Sequence, residues 1–284
     1  MKQETTKDRL YSGKGLIDSP LAIKMRDISY PTLLAMARTK IKYKLVYDNP
    51  LEKLEGHPRI FVSNHYSFRD TPIVCNSIGE KAYILTGKQS LRPEDNLFFH
   101  LYGSIFVDRK DKEDMALSKL AMETYLKNGQ SIIVFPEGTW NLDPAALMLP
   151  MKWGIIDVAQ NTDAQIIPMT LYYQRDSREC HIQYGTPKLY PKGTDKKEAI
   201  NSLRDEMSTM LWNKIEKNQP LSRKELDVAA LEKEYRSVLE EYPELNPQYE
   251  QEIIFRPYTS PEEVFAPVKQ LKSKNNKYVN KLIA

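Results

Sequence analysis

The chain has 284 residues, 41% hydrophobic and 28% charged, which suits a folded protein with a sizeable core and excludes global disorder. A net charge of +3 is too small to argue for nucleic acid as a partner. No run reaches the roughly 18 apolar residues of a spanning helix.

The N-terminus is polar, with no apolar core leading to a small-residue cleavage site. Cys75 and Cys180 lie far apart, without metal-ligand spacing. A reducing, intracellular setting with two free thiols is therefore expected. Residues 1–44 hold ten Lys or Arg against four acids, and the five cations between Lys269 and Lys281 have no acid among them. Such basic ends suit either an anionic lipid surface or ordinary solvation.

In chain order, the stretch Tyr30–Leu45 combines Leu33, Leu34, Ala35 and Met36 with Arg38, Lys40, Lys42 and Lys44. It is too short and too charged to span a membrane, so it either lies flat at an interface or packs as an N-terminal helix. Residues 1–50 read as this basic, amphipathic segment. The runs Arg59–Ser63, Lys81–Thr86, Ser104–Val107, Ser131–Phe135, Gln165–Tyr173 and Cys180–Tyr184 are β-branched or aromatic and bounded by turn residues, so they are predicted strands. Helices are predicted after Asp70, where Thr71-Pro72 suits a first turn, and over Glu113–Asn128, which Gly129 closes. Further helices are predicted from Met151-Lys-Trp-Gly154, which opens one reaching Ala159, and from about Asp195. The alternation implies an α/β fold with a mixed, mainly parallel sheet flanked by helices, over residues 51–219. Beyond Gln219-Pro220 the chain becomes charge-dense and then proline-broken, and residues 220–284 read as a helical C-terminal extension.

Four segments carry chemistry. In Phe61-Val-Ser-Asn-His-Tyr-Ser-Phe-Arg-Asp70, a strand runs into His65, and Asp70 follows five residues later. Residues five apart point away from each other on one helix, so the chain must turn before the helix starts if they are to meet. Asp70 would then hold Nδ1–H and leave Nε2 to take a proton from a hydroxyl. Gly103–Arg109 brings Arg109 to a strand end, where its fork suits a phosphate. Phe135-Pro-Glu-Gly-Thr-Trp-Asn141 follows another strand. Gly138 allows close backbone approach there, loop N–H groups suit an oxyanion or phosphate, and Glu137 suits acceptor hydroxyls. In Ile166-Ile-Pro-Met169, Pro168 fits a strand rim or bulge. Each segment alone also fits a bland role: a satisfied loop histidine, a strand-end ion pair, a tight polar turn.

Taken in this order, the four segments resemble the motifs of the lysophosphatidate acyltransferase family, the PlsC-like glycerolipid acyltransferases, over roughly residues 55–190. The resemblance implies transfer of a fatty acyl group from acyl-CoA or acyl-carrier protein to 1-acylglycerol 3-phosphate or a related lysolipid. His65 and Asp70 would be the catalytic pair. Arg109, Glu137, Gly138 and Thr139 would bind substrate, with Lys88 near the acyl carbonyl, and no cofactor or metal is implied. The expected location is cytoplasmic, peripheral to the cytoplasmic membrane face. One departure stands out: Trp140 and Asn141 occupy the places of the arginine and serine that usually continue the third motif. That motivates one alternative, another hydroxylated lipid or a surface glycan as acceptor; a non-catalytic lipid-binding protein of the same fold is a separate one, against which the intact His65, Asp70, Glu137 and Arg109 stand.

Overall fold

The computed structural model describes residues 20–87, 99, 101–142, 146–174 and 177–218, with positions 227, 229, 230, 233 and 236. The described part of the chain runs α1 (Pro20–Thr39), β1 (Lys44–Tyr47), β2 (Arg59–Ser63), α2 (Asp70–Ser77), β3 (Ala82–Gly87) and β4 (Ser104–Val107). It continues with α3 (Lys112–Lys127), β5 (Ser131–Val134), α4 (Gly154–Thr162), β6 (Gln165–Gln174), β7 (Glu179–Tyr184) and α5 (Lys196–Lys217).

The seven strands form one sheet in the order β1-β7-β6-β2-β5-β3-β4. All neighbours are parallel except β6 and β7, which are antiparallel. The sheet is therefore mixed and mainly parallel, as the alternation of elements implied.

Strand periodicity sorts the core into two layers. Ile60, Val62, Ile132 and Val134 face a cluster with Tyr125 and Leu126 of α3, Ile155 and Ile156 of α4, and Leu203 and Met207 of α5. Phe61, Ile133, Ile167, Met169 and Leu171 face the other way, toward Tyr30 of α1 and Ile73 and Val74 of α2. Asp111 caps α3 by accepting from Glu113 N and Asp114 N, and Asp195 caps α5 by accepting from Lys197 N and Glu198 N. Gly129, at φ +74°, closes α3 in the left-handed conformation that glycine takes without strain.

Two expectations at the N-terminal side need correction. The segment Tyr30–Leu45 is not one element: α1 ends at Thr39, and Lys44–Tyr47 is an edge strand paired in parallel with β7. Only four residues long, with its alternation masked by neighbouring lysines, β1 looks like the tail of a basic helix. Arg26, grouped with the surface cations, is buried, with its guanidinium 3.7 Å from the centre of the Tyr83 ring and Nη2 bonded to Gln130. Tyr30, Leu33 and Ala37 are buried as well, and α1 packs against α2. Among the described residues no helix is long and apolar enough to cross a membrane.

Pro168 lies inside β6, between β2 and β7. The β7 ladder stops beside it, at Met169–Tyr184, and resumes as a single bridge between Ile166 and Lys188. Gly185 fills the gap and donates its N–H to Pro168 O at 2.7 Å. A Cβ on Gly185 would stand 3.0 Å from the proline ring, so the interruption that accommodates Pro168 leaves only tight room for a side chain opposite it.

Candidate active site

Because β2, β3, β4 and β5 are mutually parallel, their C-terminal ends share one edge of the sheet. The segments after β2, β4 and β5 carry His65, Arg109 and Glu137, so topology alone gathers residues spread over 72 positions of sequence.

The turn between β2 and α2 is built around one carboxylate. Asp70, fully buried, opens α2, and its Oδ2 accepts from His65 Nδ1 at 2.8 Å, Tyr66 N at 2.5 Å and Ser67 N at 2.7 Å. Ser67 Oγ accepts from Arg69 N, tightening the same turn. Asn64 anchors its start: its amide exchanges two hydrogen bonds with the backbone of Leu171 on β6. The side chains of His65 and Asp70 thus meet. With Nδ1 committed to Asp70, Nε2 is the nitrogen left for proton transfer. The imidazole stacks on Phe135 at 4.1 Å between ring centres and remains partly exposed.

Glu137 sits elsewhere than expected. It has no exposed surface, and both its oxygens take backbone donors: Oε1 from His65 N at 2.9 Å and Oε2 from Leu149 N at 2.7 Å. Burial pushes its carboxyl up to about 8, although the two N–H donors pull the other way. It faces the loop that carries His65 and not the open edge. The loop N–H groups are also partly committed, Gly138 N to Phe135 O at 3.0 Å and Asn141 N to His65 O at 2.6 Å. Asn141 further donates Nδ2–H to Ala146 O, and Thr139 is buried.

Arg109 reaches the expected place. Its guanidinium lies against the end of β3, so close that a Cβ on Gly87 would stand 2.6 Å from Nη2. The same group passes 3.5 Å from a Cβ built on Gly138, and Lys152 Cε passes 3.9 Å from that point. Gly138 has φ +81°, so its backbone favours glycine there. Two cations therefore converge over one glycine beside His65's loop. Trp140 stands edge-on to the His65 ring, 6.0 Å between centres, and 6.4 Å from the half-exposed Phe68.

Residues 45–172 match the profile of the family described as Acyltransferase. The matched stretch is thus similar to that family. The chain is similar to the 1-acyl-sn-glycerol-3-phosphate acyltransferase of Saccharomyces cerevisiae, 32% identical over 42% of this chain and 40% of that one. It is also similar to the probable 1-acyl-sn-glycerol-3-phosphate acyltransferase of Mycoplasma pneumoniae, 30% identical over 45% and 49%. These matches span less than half the length of either relative. The fold is shared with the crystal structure of the 1-acyl-sn-glycerophosphate (LPA) acyltransferase PlsC from Thermotoga maritima. There the TM-score is 0.54 at 19% identity, covering 73% of this chain and 86% of that one.

Lys88 lies outside the described residues. Cys75 is buried, and burial pushes its thiol up to about 12; Cys180 is raised likewise, so neither offers a thiolate. Among the described residues no group of three or more His, Cys, Asp or Glu could hold a metal ion. Sequence reasoning missed Tyr173, whose hydroxyl donates to Asp70 Oδ1. Its signal was strand alternation: Ile167, Met169, Leu171 and Tyr173 fall on the face of β6 that α2 covers.

Proposed function

We propose that the protein moves a fatty acyl group from an acyl thioester, acyl-CoA or acyl-carrier protein, to the free hydroxyl of 1-acylglycerol 3-phosphate or a closely related lysolipid. The observation that carries this reading is the His65–Asp70 pair, 2.8 Å apart, on the same sheet edge as Arg109. His65 Nε2 takes the acceptor's hydroxyl proton as the oxygen attacks the thioester carbonyl. Asp70 holds the ring and stabilises the imidazolium. The tetrahedral intermediate then collapses, the C–S bond breaks, and His65 returns its proton to the departing thiolate. No covalent acyl-enzyme is required, since direct attack by the acceptor completes the transfer. Lys88, which follows β3 in the chain, is assigned to the carbonyl oxygen of the thioester.

Arg109 is assigned to the acceptor phosphate, with Lys152 as the second cation. Lys152 offsets the arginine that Trp140 replaces. Glu137 acts on substrate only through the loop it holds. Attachment to the cytoplasmic membrane face is peripheral and salt-sensitive, in keeping with the excess of basic residues near the two ends of the chain.

The test is transfer by purified protein from a radiolabelled acyl thioester to a panel of acceptors. Product formed with 1-acylglycerol 3-phosphate, and lost in His65→Ala, supports the proposal. Transfer to water alone, or to none of the panel, refutes it. Trp140 beside His65 favours one second reading, an acceptor whose head group is neutral or glycosylated, and the same panel separates the two.

A further inference from the structure

The Asp70 carboxylate has a donor that the His65–Asp70 pair does not need in order to form. Three of its hydrogen bonds come from its own turn, and all three end on Oδ2. The fourth comes from Tyr173, 103 residues later and near the end of β6, and ends on Oδ1. The Tyr173 ring is fixed by Tyr43, edge-on at 4.9 Å, and by Tyr66 at 6.5 Å. Burial raises its hydroxyl well above the ordinary tyrosine range, so it stays protonated and acts as a donor.

A buried donor does two things to a carboxylate. It fixes the plane of the group, and so the direction from Oδ2 to Nδ1. It also draws negative charge toward Oδ1, which lessens the stabilisation of an imidazolium on the other oxygen. We propose that Tyr173 is a positioning residue, which aims Asp70 at His65 and tempers how strongly Asp70 stabilises the imidazolium. This rests on the reading of His65 as the catalytic base.

The other groups facing Asp70 are Tyr66 on the turn, Glu137 after β5, and Cys180 on β7. Tyr66 and Cys180 are held neutral by burial. Glu137 bonds the backbone of His65 and Leu149, so a change at Tyr173 leaves its hydrogen bonds in place.

The experiment compares Tyr173→Phe with site-specific incorporation of 3-fluorotyrosine at the same position, a stronger donor of nearly the same shape. Steady-state kinetics are measured across pH. Tyr173→Phe is expected to lower kcat about ten- to a hundredfold, the worth of one hydrogen bond to a charged group. KM for thioester and for lysolipid should stay unchanged, and the acid limb should move to higher pH. Fluorotyrosine is expected to move the acid limb to lower pH. An unmoved acid limb in both, or the same direction in both, overturns the proposal, and so does a loss confined to KM. If Tyr173→Phe does not fold, the fluorotyrosine protein decides alone. Failure of the underlying reading looks different: His65→Ala would then retain turnover.

Discussion

The backbone N–H of His65 donates to Oε1 of Glu137 at 2.9 Å, across 72 positions of sequence. The other oxygen of Glu137 takes Leu149 N, so one buried carboxylate ties the strand end carrying the imidazole to the segment before α4. Burial at this point raises the carboxyl from its usual range to about 8, which makes the tie pH-dependent. The folded protein holds the Glu137 proton more tightly than the unfolded chain. Its contribution to stability is therefore full below about pH 4.5 and is lost as pH rises toward about 8. Thermal melts of the wild type should show Tm falling across that window. In Glu137→Gln the dependence should flatten. That variant should also be less stable by about 1–3 kcal/mol, because its amide NH₂ must face a backbone N–H. An unchanged pH slope would show that Glu137 does not titrate in this range.

His65→Ala should remove turnover while leaving the fold intact. The side chain is partly exposed at a strand end, and the hydrogen bonds that hold the turn use its backbone and Asp70. Losing a general base costs roughly 10²–10⁴ in rate. Near-native activity, with a native melting curve, would exclude His65 as the base.

Asp70→Asn should behave differently, losing both rate and stability. An amide NH₂ cannot accept from His65 Nδ1–H, Tyr66 N and Ser67 N, so it either leaves those donors unpaired or selects the wrong imidazole tautomer. A fall in kcat of about 10⁴ is expected. A drop in Tm should accompany it, unlike in His65→Ala. Equal melting curves for the two variants would contradict the carboxylate-centred turn.

The sequence made the sheet legible because each strand of the parallel centre is a short β-branched run that ends in a polar motif. Ser131–Val134 ahead of Pro136-Glu137-Gly138 is the clearest case. The meeting of His65 with Asp70 was implied by the family resemblance, and the spacing added that the chain must turn before the helix for it to happen. β1 was not legible, because an edge strand needs no apolar alternation and Lys44–Tyr47 follows a run of lysines. The burial of Glu137 and the partnership of Tyr173 with Asp70 were hidden for another reason. Both are contacts across the sheet edge, and a polar residue in a motif looks the same whether it faces substrate or the backbone.

Arg109→Ala and Lys152→Ala should discriminate by acceptor charge. Both side chains converge over Gly138, and each charged hydrogen bond to a phosphate is worth about 1.5–3 kcal/mol. Either change should lower kcat/KM for 1-acylglycerol 3-phosphate roughly ten- to a hundredfold, and for a neutral monoacylglycerol far less. Lys152→Arg should restore most of the lost activity. Equal losses on both acceptors would assign the two cations to structure.

Trp140 is where this chain departs from the pattern it otherwise follows, and its surroundings sharpen what a change there should do. Its indole stands edge-on to the His65 ring and leans on Phe68, so it walls the His65 imidazole with apolar surface. Asn141 beside it is committed to the backbone through His65 O and Ala146 O, which holds the loop independently of the tryptophan. Trp140→Arg therefore introduces a guanidinium next to the site with the loop's own hydrogen bonds retained. It should raise kcat/KM for acceptors with a phosphate monoester relative to neutral or glycosylated ones, through a charge-assisted pair that the indole N–H cannot match. Against this, loss of the wall exposes His65 and Phe68 and removes an aromatic contact worth about 0.5–1.5 kcal/mol. The two effects separate in one set of measurements. A changed acceptor ranking with Tm within a few degrees of wild type places Trp140 at the acceptor. A lower Tm with activity reduced on every acceptor alike makes the tryptophan a packing residue for His65, and the acceptor's identity then rests on Arg109 and Lys152.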